Sequence, residues 1–264
     1  MQWWLAYLGT GLAVGFFAGL LGIGGGAVMV PILVLIFTAQ GLPGDHVMHI
    51  ALGTAMAAIV FTSISSMRAH HAHGAVDWGI ARAITPGILA GSFCAALVAG
   101  LISKRPLGLM FTGLVFYAAT QILFDLRPKR SRELPGSTGL FAAGATIGAV
   151  SSLLAAGGAF LCIPFLAWCS VPLRRAIGTA AAVGLPIALA GTLGYVLQGL
   201  RAEGLPSSSL GYVYLPALVL VVATSMLAAP LGARLTHRLP VKRLRVIFAL
   251  LLYALAVRML VSLW

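Results

Sequence analysis

The sequence predicts an all-α polytopic membrane protein with two homologous halves, each holding one glycine-broken helix and three transmembrane helices. Three observations lead to this fold class. Charged residues make up 8% and hydrophobic residues 60% of the 264-residue chain, a composition unlike that of soluble domains. Several continuous apolar stretches reach the length of about 20 residues that a helix needs to cross a bilayer. A glycine-rich motif also occurs twice.

The repeated motif spans residues 15–31 and 148–164. Both copies contain a hydrophobic stretch, a pair of glycines, and a second hydrophobic stretch with a proline. The identical positions are Gly15/Gly148, Leu20/Leu153, Leu21/Leu154, Gly24/Gly157, Gly25/Gly158 and Pro31/Pro164. Because glycine and proline both disfavour a continuous helix, each copy predicts a broken helix, which either spans the bilayer or is re-entrant. A broken helix repeated in two halves of a membrane chain points to the substrate site of a transporter.

A second paired segment follows each glycine motif, at residues 49–57 and 174–182. The identical positions there are Ala51/Ala176, Gly53/Gly178, Thr54/Thr179, Ala55/Ala180 and Ala57/Ala182. Two further apolar segments complete each half, and they lie near 79–101 and 106–124 and near 211–233 and 243–263. The pairing divides the chain into three parts, which are an N-terminal repeat half (1–126), a basic linker (127–138) and a C-terminal repeat half (139–264).

The 17 Lys and Arg residues discriminate between two membrane topologies. If both broken segments span the bilayer, the basic residues divide almost evenly between its two sides. If each broken segment enters and leaves on the same side, only four basic residues fall on the minor side, namely Lys104, Arg105, Arg201 and Arg258. The positive-inside rule prefers the second arrangement. Each half then has three full crossings, so the two halves are predicted to be inverted relative to each other.

The glycine breaks predict a binding site for an anion. At each break a new helix begins, and its free N–H groups carry a partial positive charge of about half a unit. Two such helix starts facing one cavity would bind an anion without a buried cation. The candidate glycines are Gly24, Gly25, Gly26, Gly157 and Gly158. The alternative role of glycine, close helix packing, is preferred for the small-residue rows Gly11, Gly15, Gly19, Gly144, Gly148 and Ser152.

Hydroxyl side chains supply further candidate ligands. Thr54 and Thr179 belong to the paired segments, and Ser151 and Ser152 precede the second break. Ser63, Ser65 and Ser66 line the far part of the segment 50–66. The alternative for each is a hydrogen bond to the carbonyl four residues earlier in its own helix.

One histidine and one arginine complete the candidate substrate site. His49 opens its segment where Arg174 opens the counterpart, and Arg175 follows. A cation at either place would attract an anion, whereas the alternatives are an interfacial histidine and an arginine that sets topology. The cluster of His70, His71 and His73 is predicted to lie in a solvated loop, because no Cys or carboxylate completes a metal site beside it. We predict neither a metal nor a cofactor.

The acidic residues restrict the mechanism. All five lie in loops or at segment ends, namely Asp45, Asp77, Asp125, Glu133 and Glu203. A buried carboxylate, the usual mark of a cation-coupled pump, is therefore not expected. Expelling a monovalent anion from a negative interior is favourable by about 2.3 kcal/mol per 100 mV. The sequence has no catalytic constellation and predicts an anion exporter rather than an enzyme; the alternatives are an anion channel, a metal-ion transporter that uses the histidines, and a membrane scaffold.

The paired glycine–proline motifs, the Ala-x-Gly-Thr-Ala segments and the loop from His73 to Trp78 together resemble the sulfite exporter TauE/SafE family. The resemblance covers nearly the whole chain. It implies a multi-pass carrier in the bacterial inner membrane that exports sulfite, organosulfonates or related sulfur oxyanions. The expected partners are this small anion, the lipid bilayer and a second copy of the chain in a homodimer, without nucleic acid. The sequence departs from the family pattern at Ala155 and Ala159, where the second motif is expected to have glycine, and at Ala55 and Ala180, where serine is common.

Overall fold

The computed structural model of the chain describes residues 3–21, 25–124, 133–236 and 241–262, without the side chains of 19–21, 230, 232–245 and 262. The described residues form ten helices and one two-stranded antiparallel sheet. The first five helices are α1 (Trp3–Leu21), α2 (Gly26–Ala39), α3 (Val47–Ala72), α4 (Trp78–Leu101) and α5 (Lys104–Leu123). The remaining elements are α6 (Ser137–Leu153), α7 (Ala159–Trp168), α8 (Leu173–Gly199), β1 (Ser209–Leu210), β2 (Val213–Tyr214), α9 (Leu215–Thr236) and α10 (Val241–Ser262).

The nearly all-helical architecture confirms the predicted fold class at this level. Four of the described helices, α3, α4, α5 and α8, are long and apolar enough to cross a membrane. The other helices have shorter described apolar stretches. Of the predicted basic linker 127–138, residues 127–132 lie outside the described residues.

Both glycine motifs interrupt a helix as predicted. The first break separates α1 from α2, and the second separates α6 from α7. The outer ends of α1 and α2 lie close together, since the Tyr7 hydroxyl near the start of α1 donates a hydrogen bond to Gln40 Oε1, just beyond α2, at 2.6 Å. The helices α1 and α2 therefore form a hairpin with both outer ends at the same end of the molecule.

The broken helices pack against distant partners. The helix α1 lies along α9, and α6 lies along α4. Small residues make these contacts close, as the sequence predicts: a Cβ at Gly11 would lie 2.5 Å from the Val221 carbonyl oxygen, and one at Gly148 would lie 2.5 Å from that of Ile88. Backbone approach of this kind is typical of packing between membrane helices. Gly19 was also predicted to pack closely, but its packing is outside what the structure describes.

The helices α3 and α8 pack against each other at the centre of the fold. In the most apolar stretch of α3, 78% of the residues are buried, against 39% in the corresponding stretches of α4 and α5. The apolar segment predicted near 211–233 begins differently, because β1 and β2 form a hairpin before α9 starts at Leu215. Gly211 has a φ of +56°, which allows the tight turn and ends any continuous helix there.

Candidate functional site

The two glycine breaks meet at one cavity of about 370 Å³. Gly25 lines it from the first break and Gly157 from the second, where the first residue of α7, Ala159, also contributes. The neighbouring face of α3 supplies a row of polar side chains, which are Thr62, Ser63, Ser65, Ser66 and His70. The rest of the lining comes from α1, α2, α8 and α9, together with Ile59 and Ala69 of α3.

Backbone contacts hold the two breaks together. A Cβ at Gly26 would overlap the carbonyl oxygen of Ala155, so only glycine lets the start of α2 approach the second break this closely. A Cβ at Gly184 on α8 would lie 2.7 Å from the carbonyl oxygen of Gly157. Ala155 and Gly158 have φ values of +46° and +78°, a left-handed conformation that glycine adopts easily and alanine does not.

The electrostatics of the cavity come from helix ends and hydroxyls. Both α2 and α7 begin at the cavity. The first N–H groups of each helix lack partners within that helix, because no turn precedes them. The partial positive charge of a helix start favours an anion. Among the described residues that line the cavity, His70 is the one titratable side chain, and there is no Lys, Arg, Asp or Glu. The cavity therefore offers hydrogen-bond donors and partial positive charge without a fixed ionic partner.

The candidate glycines fall into three groups. Gly25 and Gly157 line the cavity. Gly26 is the first residue of α2 and Gly158 directly precedes α7, so both shape the breaks from beside the lining. Gly24 lies outside the described residues.

The serines predicted beside the second break do not line this cavity. Ser151 and Ser152 lie at the end of α6, each at most 1% exposed. Neither hydroxyl has a hydrogen-bond partner in the part of the chain that the structure describes.

Thr54 and Thr179 bind backbone rather than the cavity. Thr54 Oγ1 accepts a hydrogen bond at 2.9 Å from the N–H of Tyr214, directly before α9. Thr179 Oγ1 accepts one at 3.0 Å from the N–H of Asp77, directly before α4. Both side chains are buried, and neither is among the lining residues.

His49 is buried near the start of α3, at the end of this helix that is far from His70. Its Nε2 lies 2.9 Å from the carbonyl oxygen of Ile102 and 3.1 Å from that of Ala99. Because a carbonyl oxygen only accepts, Nε2 carries the hydrogen and donates to both. The ring also stacks on Tyr212, with centroids 5.0 Å apart. His49 thus joins α3 to the end of α4 and to the hairpin, away from the cavity.

Arg175 also points elsewhere, towards the loop before α4. Its guanidinium lies 3.9 Å from the carboxylate of Asp77, and its side chain is 63% exposed. The neighbouring Arg174 donates to the carbonyl oxygen of His73 at 2.9 Å. The two arginines therefore hold the loop between α3 and α4 against the start of α8.

The profile of the sulfite exporter TauE/SafE family matches residues 7–259, which include both breaks and all of the cavity lining. The chain belongs to this family. It is 35% identical to a protein of Haemophilus influenzae named "Probable membrane transporter protein", over 95% of each chain. It is 28% identical to the "Probable membrane transporter protein YdhB" of Bacillus subtilis, over 86% of this chain and 88% of the relative. No solved structure gives a significant match.

Membership of the TauE/SafE family confirms the predicted resemblance. The curated relatives are named as membrane transporters, and the helices include several that are long enough to span. The chain is accordingly a multi-pass membrane protein of a transporter family.

Sequence reasoning missed several lining residues of this TauE/SafE protein, and His70 is the titratable one among them. His70 was predicted in a solvated loop together with His71 and His73, but α3 extends to Ala72 and includes it. The available signal was helical spacing: Ser63, Ser66 and His70 follow an i, i+3, i+7 pattern, which places them on one face of a helix.

The other two histidines of that cluster are engaged elsewhere. His71 Nδ1 accepts a hydrogen bond from Trp78 Nε1 at 3.1 Å, and His73 Nδ1 lies 2.7 Å from the carbonyl oxygen of Ala69, to which it donates. Within the described ranges no three His, Cys, Asp or Glu side chains are placed to hold a metal ion.

Proposed function

We propose that this chain is a secondary transporter that exports sulfite, an organosulfonate or a related small sulfur oxyanion across the bacterial inner membrane. The observation that carries the proposal is the cavity at which both glycine breaks meet. The family name and the names of the relatives support a transporter, and the chemistry of the lining supports an anion as its cargo.

The donor set suits a sulfur oxyanion. Sulfite and sulfonate groups present three oxygens that accept hydrogen bonds, and the cavity supplies donors from Ser63, Ser66 and the starts of α2 and α7. Donors to an anion form the stronger, charge-assisted class of hydrogen bond. A fixed Lys or Arg would bind the anion more tightly and slow its release, whereas helix ends and hydroxyls allow it to leave.

The same proposal makes the broken helices re-entrant and the two halves inverted repeats, 1–126 and 139–264, joined by 127–138. If the broken helices spanned the bilayer, the loop after α3 and the start of α8 would lie on opposite sides. The hydrogen bond from Arg174 to His73 argues for a common side. The contact of His49 with Tyr212 makes the same argument at the other end of the molecule. The reciprocal packing of α1 on α9 and of α6 on α4 is further support for two related halves.

The orientation follows from the basic residues. The loop end of α3 carries Arg68 and faces Arg174 and Arg175 across the loop, and the positive-inside rule assigns this end to the cytoplasm. Ser66 and His70 line the cavity near the same end of α3. The cavity is therefore proposed to open towards the cytoplasm, as an exporter requires before it loads its substrate.

The test is flux of sulfite, and of a simple alkyl sulfonate in parallel, from proteoliposomes under an imposed membrane potential. We expect saturable flux that follows the potential for at least one of the two anions. Flux that never saturates would identify an anion channel instead. If neither anion shows flux although the protein is folded and inserted, the proposal is overturned. The same assay would then be run with divalent metal ions.

A further inference from the structure

A second group of polar side chains lies buried where α4, α6 and α8 pack together. It consists of Ser92 on α4, Ser151 and Ser152 on α6, and Tyr195 on α8, each at most 1% exposed. None of the four hydroxyls has a hydrogen-bond partner among the described residues. Since an unpaired hydroxyl in an apolar interior costs free energy, a group of four requires an explanation.

Glycines on the facing helices bring these hydroxyls to shared interfaces. A Cβ at Gly148 on α6 would lie 2.8 Å from Ser92 Oγ on α4. A Cβ at Gly191 on α8 would lie 2.9 Å from Ser152 Oγ on α6. Ser152 follows Gly148 by one helical turn, and Tyr195 follows Gly191 by one turn. Ser92 and Ser152 thus lie in close interfaces of α6 with α4 and with α8, and these interfaces form a closed region.

The internal repeat relates this closed region to the open cavity. The pairing of Thr54 with Thr179 aligns α3 with α8, and sixteen residues further along both helices it pairs His70 with Tyr195. The pairing of Gly15 with Gly148 aligns α1 with α6, and three residues further it pairs Ala18 with Ser151. His70 and Ala18 both line the open cavity.

The helices α9 and α4 extend the relationship. Gly15 packs on the backbone of Ser225 in α9, and Gly148 packs on the backbone of Ile88 in α4. Four residues further, this equivalence pairs Ala229 with Ser92. Ala229 lines the open cavity as well. Three of the four unpaired hydroxyls therefore occupy positions whose repeat counterparts line the cavity.

We propose that Ser92, Ser151, Ser152 and Tyr195 form the closed half of the transport pathway. The inference rests on the proposed function and deepens it. In the opposite state the open cavity closes, while α4, α6 and α8 separate and expose these hydroxyls to the other side of the membrane. There they donate hydrogen bonds to the same small oxyanion, which is why four hydroxyls are retained in an interface that leaves them unpaired when it is closed.

Cysteine accessibility tests the proposal directly. In a background with Cys94, Cys162 and Cys169 replaced by alanine, Ser66→Cys and Ser151→Cys are treated with a membrane-impermeant thiol reagent in vesicles of both orientations. We expect Ser66→Cys to react from the cytoplasmic face and Ser151→Cys from the opposite face, with a simple alkyl sulfonate, which does not consume the reagent as sulfite would, slowing both reactions. Thr112→Cys is the matched control, since its buried hydroxyl bonds the Gly108 carbonyl oxygen within α5 at 2.8 Å, and it should react from neither face.

The labelling separates two kinds of failure. If Ser151→Cys and Ser92→Cys stay unmodified from both faces in vesicles where Ser66→Cys reacts, the closed-half proposal is overturned. If the expected pattern of sides appears but the sulfonate leaves both labelling rates unchanged and neither sulfite nor sulfonate moves in the flux assay, the pathway stands and the substrate class of the proposed function is wrong.

A second measurement compares two tyrosines. Tyr195→Phe removes an unpaired hydroxyl, whereas Tyr7→Phe removes one that donates to Gln40. We expect Tyr195→Phe to keep or raise the melting temperature in detergent while slowing anion efflux at least fivefold, and Tyr7→Phe to lower the melting temperature. A fall for Tyr195→Phe as large as that for Tyr7→Phe, or efflux at the wild-type rate, would show that Tyr195 is structural.

Discussion

The hydroxyl of Thr179 on α8 accepts a hydrogen bond from the backbone N–H of Asp77, 102 residues earlier, at 3.0 Å. Asp77 is the N-cap residue of α4, and its own carboxylate accepts from the N–H of Ile80. The side chain of Thr179 therefore fixes the place at which α4 begins.

The first half of the chain contains the same device. Thr54 on α3 accepts from the N–H of Tyr214, which directly precedes α9. The preceding residue, Gly53, lets this backbone approach, since a Cβ there would lie 2.5 Å from the carbonyl oxygen of Tyr212. The paired Gly-Thr segments thus fasten α9 and α4 to the two central helices.

Replacing these threonines should lower stability rather than affinity. In Thr54→Val or Thr179→Val the partner N–H loses its acceptor in a buried site, which costs about 1–3 kcal/mol in free energy of unfolding. Thermal melting in detergent measures the loss. Thr146→Val is the control, because that hydroxyl is exposed and bonds only within α6. An unchanged melting temperature with weaker anion binding would instead assign the hydroxyls to the substrate.

Gly26→Ala should separate the two breaks. The added methyl would overlap the carbonyl oxygen of Ala155, and backbone there cannot yield without moving the start of α2. We expect loss of transport together with lower stability, measured by flux and melting. Gly113→Ala in α5 is the matched control, because a Cβ there meets open space, and a helical Gly→Ala change normally stabilises by about 0.5–1 kcal/mol. Equal behaviour of the two variants would contradict the contact between the breaks.

Ala155→Gly should be neutral or stabilising. Ala155 has a φ of +46°, a left-handed conformation that costs an L-residue roughly 1–2 kcal/mol. This relief offsets the entropy that glycine adds to the unfolded chain, about 0.5–1 kcal/mol. Ala142→Gly, at an exposed site within α6, should lose about 1 kcal/mol instead. Parallel melting curves decide, and an equal loss in both variants would refute the strain at the second break.

Arg175→Gln should change little. The ion pair with Asp77 is long and its arginine is mostly exposed, so solvent screens it and its contribution stays below about 1 kcal/mol. The concentration of sulfite at half-maximal flux should stay within about twofold of wild type, a shift that corresponds to less than 1 kcal/mol. A tenfold rise in this half-maximal concentration would show that Arg175 contributes to substrate binding.

The broken helices and the far face of α3 could be predicted from the sequence because their signals are local. Consecutive glycines between apolar stretches favour a helix break, because each glycine in a helix interior is destabilising. The stripe of Ser63, Ser66 and His70 has helical spacing and needed only a correct end of α3 to be recognised.

The roles of Thr54 and His49 could not be predicted, because both depend on backbone that is distant in sequence. Thr54 binds Tyr214 from 160 residues away, and His49 binds Ile102 from 53 residues away. The sequence around a threonine or a histidine does not show whether its side chain binds a ligand or a backbone group. The packing of whole helices decides which of the two the side chain binds.

The central claim is that a small sulfur oxyanion crosses the membrane through the cavity between the two breaks. Its most direct test is sulfite flux in proteoliposomes for wild type, Ala181→Phe and Leu197→Phe. Ala181 lines the cavity on α8, whereas Leu197 is an exposed residue of the same helix outside it. We predict saturable flux in wild type and Leu197→Phe and none in Ala181→Phe. Equal flux in all three proteins would contradict the account.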